Sequence, residues 1–206
     1  RARAAGTRVK KRQRLGQGLD REPPGWHGVA MVDDVGEAVV RPATVDDAEQ
    51  IAAVHIASWR EAYAGAVPDD YLAGLDQGDR AEAWRSQLGD AERNDLRVWV
   101  AEDPVDGRVV GFSSLGPSRD EDADRTTLEI HTIYLEPAAW GQGVARRLMR
   151  TMLEEVPDGA RVTLWVLASN DRAAHFYRRH GLVPDGVERL STYGDEQLPE
   201  VRYVRG

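Results

Sequence analysis

A glycine-rich turn between a strand-like and a helix-like segment constrains this chain more than any other feature. Leu128–Leu135, LEIHTIYL, is predicted to be a long β-strand, and the pattern from Val144 onward is that of a helix. Gly141 and Gly143 lie between them. A helix begins with unpaired backbone N–H groups and a partial positive charge, so it binds anions, and glycines let a phosphate come close. The turn is therefore a candidate phosphate site.

Two well-known phosphate loops do not fit this spacing. A Walker A loop ends in Gly-Lys-Ser/Thr, and the chain has no lysine after Lys11. A Rossmann fingerprint needs a third glycine, and Arg146 occupies that position. The turn alone leaves two interpretations open: a phosphate site of another kind, or a tight strand-to-helix connection without a ligand.

The other segments have the periods of strands and helices in the order β-αα-βββ-α-β-α-ββ. Arg161–Ala168, RVTLWVLA, is nearly continuously apolar, which indicates a strand buried on both faces. The second helical stretch is predicted to break at Gly74 and Gly78 and to continue from Arg80 to Leu88. This alternation predicts one domain that begins near Glu37 and mixes both element types.

The composition separates a basic terminus from an acidic body. Residues 1–14 hold seven basic side chains and no acidic one, and the other 20 Lys and Arg residues face 35 Asp and Glu residues. We predict a basic, flexible extension over residues 1–36 and a folded domain over residues 37–206. An acidic body is a poor nucleic-acid surface, so only the basic extension keeps nucleic acid open as a partner.

Several classes of chemistry are absent from the sequence. Without cysteine there is no disulfide, no thiolate nucleophile and no Cys-ligated metal. The five histidines show no metal-binding spacing, so we expect no metal site. No apolar run reaches the length of a membrane-spanning helix. We therefore expect no membrane partner and a cytoplasmic location.

The loop around the glycines carries the first part of a family resemblance. Trp140-Gly141-Gln142-Gly143-Val144-Ala145 resembles the pattern Arg/Gln-x-x-Gly-x-Gly/Ala of the GNAT superfamily, the Gcn5-related N-acetyltransferases. The resemblance implies that backbone amides here hold the pyrophosphate of coenzyme A. The residues that receive this role are Gln142, Gly143, Val144, Ala145 and Arg146. Trp140 departs from the family pattern, because it replaces a polar or charged residue. Backbone amides are therefore expected to provide more of the contacts with the pyrophosphate.

The second part of the resemblance is NDRAAHFYRRHGL, which is similar to the family's Asn-x-x-Ala-x-x-x-Tyr-x-x-x-Gly-Phe segment. It implies that Asn170 binds near the pantetheine arm and that Tyr177 lies near the thioester sulfur. A phenol there can give a proton to the departing thiolate. The alternative for Tyr177 is a core aromatic beside Phe176. Leu182 replaces the aromatic residue that usually follows the glycine.

The third part is the strand LEIHTIYLEP, which resembles the family's fourth strand. It implies that Glu129 is the base that removes the amine's proton, and that the amides around Ile133, Tyr134 and Leu135 hold pantetheine. On a regular strand Glu129, His131, Ile133 and Leu135 share one face, so His131 or a water chain is an alternative base. The same residues also allow a solvent-exposed Glu129, a structural His131 and a β-bulge that changes the faces.

The acceptor amine of this family enters beside the first two helices. The residues expected there are His55, Trp59, Tyr63 and Tyr71, together with His131 of the fourth strand. Aromatic rings beside the acidic loop Asp69-Asp70 would suit a cationic amine. The alternative is that Trp59 packs in the core and only the loop is exposed. The acceptor stays open among a polyamine, an antibiotic, an amino acid and a protein N-terminus.

Taken together, the resemblance implies an α/β (α+β) GNAT fold with a mixed, mostly antiparallel sheet of six or seven strands. Helices are expected on both faces, and the strands 128–135 and 161–168 are expected to splay apart. The implied function is an N-acetyltransferase that moves an acetyl group from acetyl-CoA directly to a primary amine of a small molecule or peptide N-terminus. A non-catalytic acyl-CoA-binding sensor is the alternative, and a homodimer is left open.

Overall fold

A computed structural model describes residues 37–206 of the protein. The predicted extension over residues 1–36, with its nucleic-acid alternative, lies outside the described residues. None of the helices in the described range is both long and apolar enough to cross a membrane.

A seven-stranded sheet runs through the domain in the order β1-β2-β3-β4-β5-β7-β6. Its strands are β1 (Val39–Pro42), β2 (Arg97–Glu102), β3 (Val109–Pro117), β4 (Leu128–Leu135), β5 (Val162–Leu167), β6 (Val183–Tyr193) and β7 (Glu196–Arg205). Only β4 and β5 pair in parallel, and every other neighbouring pair is antiparallel. The predicted mixed, mostly antiparallel sheet is confirmed.

Five α-helices cover both faces of the sheet. They are α1 (Ala48–Ala62), α2 (Asp69–Ala73), α3 (Gln77–Gly89), α4 (Val144–Glu154) and α5 (Asp171–Arg179). On one face α1 and α3 bury Ile51 and Trp84 against Phe112 of β3. On the other face α4 buries Leu148 and Met149. The helices on both faces that the resemblance implied are therefore confirmed.

The helix α3 begins three residues earlier than the sequence predicts. Asp76 is its N-cap, and the Asp76 carboxylate accepts a hydrogen bond from the Asp79 backbone N–H at 2.9 Å. This cap satisfies an otherwise unpaired donor, so Gly78 is tolerated within the first turn. A glycine that was predicted to break the helix lies inside it.

The strands β4 and β5 diverge soon after they begin. Their ladder has only two pairs, Leu128 with Val162 and Glu129 with Thr163, whereas β5 pairs with β7 along its whole length. The edge of β4 from Ile130 onward is therefore not covered by β5. This is the predicted splay, and it opens a gap in the middle of the sheet.

A β-bulge in β4 changes which side chains share a face. Ser114 of β3 lies opposite Thr132, but Leu115 lies opposite Ile130, so His131 is the extra residue. Ile130 therefore joins Ile133 in the core under α4. Because neighbouring residues alternate, Glu129 points to the opposite face. The regular-strand interpretation, with Glu129, His131, Ile133 and Leu135 on one face, is wrong, and the alternative of a β-bulge that changes the faces is the one that β4 adopts.

Candidate active site

A cavity of about 690 Å³ occupies the gap between β4 and β5. One wall is β4 itself, from Ile130 to Leu135. The glycine turn and the first residues of α4 form one end, α5 forms a second wall, and the last turns of α1 close the other end. The splay, the glycine turn and α5 thus meet at one site.

The glycine turn is shaped by backbone conformation rather than by close packing. Gly141 and Gly143 have φ values of +80° and +82°, and a Cβ on either would meet no atom within 4 Å. Positive φ is the reason that glycine suits both positions. The first backbone bond of α4 runs from the Arg147 N–H to the Gly143 carbonyl. The amides of Val144, Ala145 and Arg146 therefore have no acceptor within the helix, and all three residues line the cavity.

The other residues predicted for the turn have separate positions. Gln142 is not among the cavity-lining residues, and its side-chain amide donates a hydrogen bond to the Ala138 carbonyl at 2.6 Å. Trp140 lines the cavity, and its indole N–H donates to the Leu135 carbonyl at 3.2 Å. The side chain of Gln142 thus holds the turn itself.

Helix α5 brings Asn170 and Tyr177 to the cavity. Asn170 caps the helix by accepting a hydrogen bond from the Ala173 N–H at 3.0 Å. The Tyr177 ring is 9% exposed, packs against Phe176 and Tyr203, and lines the cavity. Burial raises the pKa of the Tyr177 phenol, so it stays protonated at neutral pH. The residue is a core aromatic that also lines the cavity and carries a protonated phenol.

Glu129 is not among the residues that line the cavity. Its side chain is 2% exposed, accepts a hydrogen bond from the Arg119 backbone N–H at 2.9 Å and contacts the Arg119 guanidinium. Burial opposes ionisation, but the bonds from Arg119 outweigh it and hold the pKa of the Glu129 carboxyl below its usual value. The expected position of this carboxylate beside the substrate is therefore not met, because the bulge turns it to the other face.

The bulge residue His131 does line the cavity. Its Nε2 lies 3.1 Å from the Pro117 carbonyl oxygen. If Nε2 carries the hydrogen and donates to that carbonyl, the Nδ1 lone pair remains free. Burial, followed by the charge of Arg119, lowers the pKa of His131. The imidazole is therefore neutral at pH 7 and can accept a proton.

The predicted acceptor residues divide into two groups. Tyr63, at the C-terminal end of α1, lines the cavity, as His131 does. His55 and Trp59 do not, because the face of α1 that they share packs on the sheet and on other aromatic rings. Tyr71 lies on α2 and does not line the cavity either. His55 stacks on Tyr134 with ring centroids 5.0 Å apart, and burial lowers its pKa to about 3.

Trp59 and Tyr71 belong to an aromatic cluster behind the cavity. Their ring centroids both lie 5.9 Å from that of Tyr193 on β6, and Trp59 also packs on Tyr63 at 5.1 Å. The alternative interpretation, in which Trp59 packs in the core, fits this arrangement. Of these four rings, Tyr63 is the one that lines the cavity, and Trp59 packs behind it.

The side chains that line the cavity are not acidic, in contrast to the acidic acceptor site that the sequence suggested. The lining residues include three arginines and three histidines but no carboxylate, and Asp69 and Asp70 are not among them. Within residues 37–206 no three metal-binding side chains are grouped to hold an ion. The surroundings of the cavity thus favour an anionic ligand.

Sequence reasoning missed part of the wall. Arg172, His175 and Arg179 lie along one side of α5 and line the cavity, as do Thr132 on β4 and Trp165 on β5. The spacing of the three basic residues, three and then four positions apart, is a helical signal that was available in the sequence. Thr132 and Trp165 reach the cavity only because of the bulge and the splay.

Comparisons with known proteins agree with this geometry. Residues 56–182 match the acetyltransferase (GNAT) family. The chain is 37% identical over 110 residues to the uncharacterized N-acetyltransferase YuaI of Bacillus subtilis, which covers 53% of this chain and 59% of that protein. It is 28% identical to the probable N-acetyltransferase Rv2775 of Mycobacterium tuberculosis, over 71% of this chain and 80% of that one.

A solved structure shares the fold. It is the PaiA N-acetyltransferase of Thermoplasma acidophilum in complex with coenzyme A, with a TM-score of 0.62 and 20% sequence identity over 80% of this chain and 98% of that one. The resemblance drawn from three short motifs is confirmed by a family match that spans more than half of the sequence. The chain belongs to the acetyltransferase (GNAT) family.

Proposed function

We propose that the protein transfers an acetyl group from acetyl-CoA directly to a primary amine. The observation that carries the proposal is the gap between β4 and β5, which has free helix amides at one end and Tyr177 on its wall. Acetyl-CoA supplies an activated thioester, and the amine attacks its carbonyl carbon. No cysteine is available for a covalent acetyl-enzyme, which agrees with direct transfer.

The residues of the cavity fit coenzyme A. The amides of Val144, Ala145 and Arg146 point from the start of α4, where a pyrophosphate finds both donors and a favourable dipole. The uncovered edge of β4, from Ile133 to Leu135, offers backbone groups to an amide-containing pantetheine arm. The three arginines of the lining balance the negative phosphates. PaiA, with the same fold, was crystallised with coenzyme A.

Tyr177 is the proposed proton donor. As the new C–N bond forms and the C–S bond breaks, the sulfur takes up the phenolic proton. The raised pKa of the buried phenol keeps that proton in place until it is needed. Asn170, which begins the same helix, orients α5 along the cavity.

His131 is the proposed acceptor of the amine's proton, directly or through one water molecule. It faces the cavity and is neutral at pH 7, whereas Glu129 is buried against Arg119. Donation of Nε2–H to the Pro117 carbonyl would leave Nδ1 as the basic atom. Glu129 becomes a stabilising residue in this proposal.

The acceptor is proposed to be a small molecule or a peptide N-terminus with a single amine. Tyr63 and Ser58 of α1 and His131 of β4 would surround it. A polyamine fits less well, because no carboxylate lines the cavity to balance several positive charges.

A panel of amines scored by CoA release tests the function. The chain has no cysteine, so a thiol-reactive dye reports only released CoA. The expected result is release with at least one amino acid or peptide amine and weaker release with polyamines. The sensor alternative predicts thermal stabilisation by acetyl-CoA without release for any amine, and that outcome would overturn the proposed activity.

A further inference from the structure

The departure of Trp140 from the family pattern leads to an arginine on another helix. The guanidinium carbon of Arg172 lies 3.9 Å above the centroid of the Trp140 ring. Both residues line the cavity beside the glycine turn. A planar guanidinium stacks on an indole face and keeps its N–H groups free at the edge, so the stack orients the charge without using its donors.

Trp140 is itself held in place. Its indole N–H donates to the Leu135 carbonyl at the end of β4, and its backbone N–H donates to the Pro137 carbonyl at 3.2 Å. The ring also packs against the core under α4. The two hydrogen bonds that hold the platform for the Arg172 guanidinium therefore involve no residue of α5.

The position of Arg172 is unfavourable unless an anion is nearby. It is the second residue of α5, where the helix dipole disfavours a positive charge. In the described part of the chain no carboxylate pairs with Arg172, whereas Arg147 and Arg150 of α4 each pair with a glutamate. An unpaired and oriented arginine beside three free helix amides is suited to a phosphate.

We propose that Arg172, oriented by Trp140, provides the charged contact with the pyrophosphate of coenzyme A that the family's loop arginine would otherwise provide. This inference rests on the proposed binding of coenzyme A. Arg172 is the binding residue, and Trp140 is a positioning residue that acts through it. The missing loop side chain is thus replaced from α5 rather than by the backbone alone.

The test is the dissociation constant of coenzyme A, measured by calorimetry on the full chain and its variants. Arg172→Gln is expected to bind about tenfold more weakly, because it loses one charge-assisted contact at a partly exposed site. Arg172→Lys should fall between the two, since lysine keeps the charge and loses the planar stack. Arg150→Gln is the matched control: its side chain is 67% exposed on α4, outside the cavity, and affinity should not change.

Two substitutions of Trp140 examine its role. Trp140→Leu should weaken binding about threefold in the parent and have no added effect in the Arg172→Gln background, because a positioning residue acts only through its partner. Trp140→Arg combined with Arg172→Gln restores the family residue, and affinity should return to within about threefold of the parent. Additive losses, or no recovery in the double variant, would overturn the pairing.

Dephospho-CoA identifies the phosphate involved. It keeps the pyrophosphate and lacks the 3′-phosphate, so Arg172→Gln should weaken its binding by the same factor. A loss seen only with intact coenzyme A would overturn the pyrophosphate assignment. If the parent binds no coenzyme A, the proposed function fails; if the parent binds it and Arg172→Gln binds equally well, only this inference fails.

Discussion

Replacing Glu129 by glutamine separates catalysis from stability. The sequence motif predicts that this residue is the catalytic base, whereas the structure buries its carboxylate against Arg119. We therefore expect Glu129→Gln to lower the free energy of unfolding and to change the rate constant kcat by less than about threefold, because this side chain does not line the cavity.

The magnitude follows from the exposure of the partner. Hydrogen bonds to a charged group contribute about 1.5–3 kcal/mol, but the Arg119 side chain is 63% exposed, so water and salt screen part of the pair. Glutamine keeps the volume and an oxygen that can accept the Arg119 backbone N–H. The expected loss is about 1–2 kcal/mol, which corresponds to a decrease in Tm of about 2–8 °C for a domain of this size.

The pH dependence of this loss has a definite sign. The bonds from Arg119 outweigh burial and hold the pKa of the Glu129 carboxyl below its usual value. Such a group contributes stability that is present above its unfolded pKa, about 4.3, and is lost as the pH falls through the lower folded value. The difference in Tm between parent and variant should therefore be full at pH 7 and shrink in acid.

Thermal unfolding followed by circular dichroism, and CoA release measured between about pH 5 and pH 8, test both halves of the expectation. Glu82→Gln is the control, because Glu82 is 75% exposed and pairs with Arg85 on the surface of α3. Its Tm should change by less than about 2 °C. A loss of about hundredfold in kcat, deepest at low pH and with Tm unchanged, would show that Glu129 is the base after all and refute the reasoning.

Three other substitutions address the remaining residues of the cavity. Tyr177→Phe should lower kcat by about 10²-fold with the dissociation constant of coenzyme A unchanged, while Tyr203→Phe, a buried phenol outside the cavity, should leave kcat alone. His131→Gln should lower the rate at least about tenfold and remove the loss of rate that the parent shows as acid protonates the imidazole, below about pH 6.5; an identical pH profile would exclude the base role. Gly143→Ala should destabilise the fold by about 1–2 kcal/mol in a urea titration, because φ is +82° although the space is open, and an unchanged midpoint would contradict the strain.

The parts of the fold that the sequence predicted depend on local patterns. The nearly continuous apolar character of RVTLWVLA predicted a buried central strand, and β5 lies between β4 and β7. The order of elements followed from the two hydrophobic periods, because each period reports which face of a segment is buried. The start of α3 differs from the prediction for a related reason: Gly78 favours a break in the helix, but the cap at Asp76 stabilises the first turn that contains it.

The faces of β4 were only partly predictable from the sequence. The aliphatic residues of LEIHTIYL lie at Leu128 and Ile130 and then at Ile133 and Leu135, so the alternation changes phase where β3 skips His131. A bulge also depends on how two strands pair, so the residues of one strand do not identify the extra residue. The bulge changes which candidate base faces the cavity: the Glu129 side chain is buried on the other face of the sheet, and His131 lines the cavity.

The helical face of α1 shows the same limit from another side. The spacing of His55 and Trp59 correctly indicates a shared face, but the period of a helix does not say whether that face meets a ligand or the sheet. In the structure this face packs on the sheet, and Tyr63, one turn further along, lines the cavity. The sequence thus predicts which residues share a face of α1, but not whether that face contacts the sheet or a ligand.

Trp140 departs from the family pattern in a way that the fold compensates. At Trp140 the loop lacks the polar or charged side chain of the family pattern. From the sequence alone, the backbone amides are expected to bind the phosphates without it. In the fold, Arg172 lies over the Trp140 ring although 31 other residues separate the two along the chain. A phosphate responds to where a positive charge lies and not to which element carries it. A motif residue can therefore be absent from its position while another element supplies its positive charge. The aromatic substitution indicates which element does so, because an indole can orient a guanidinium from a different helix.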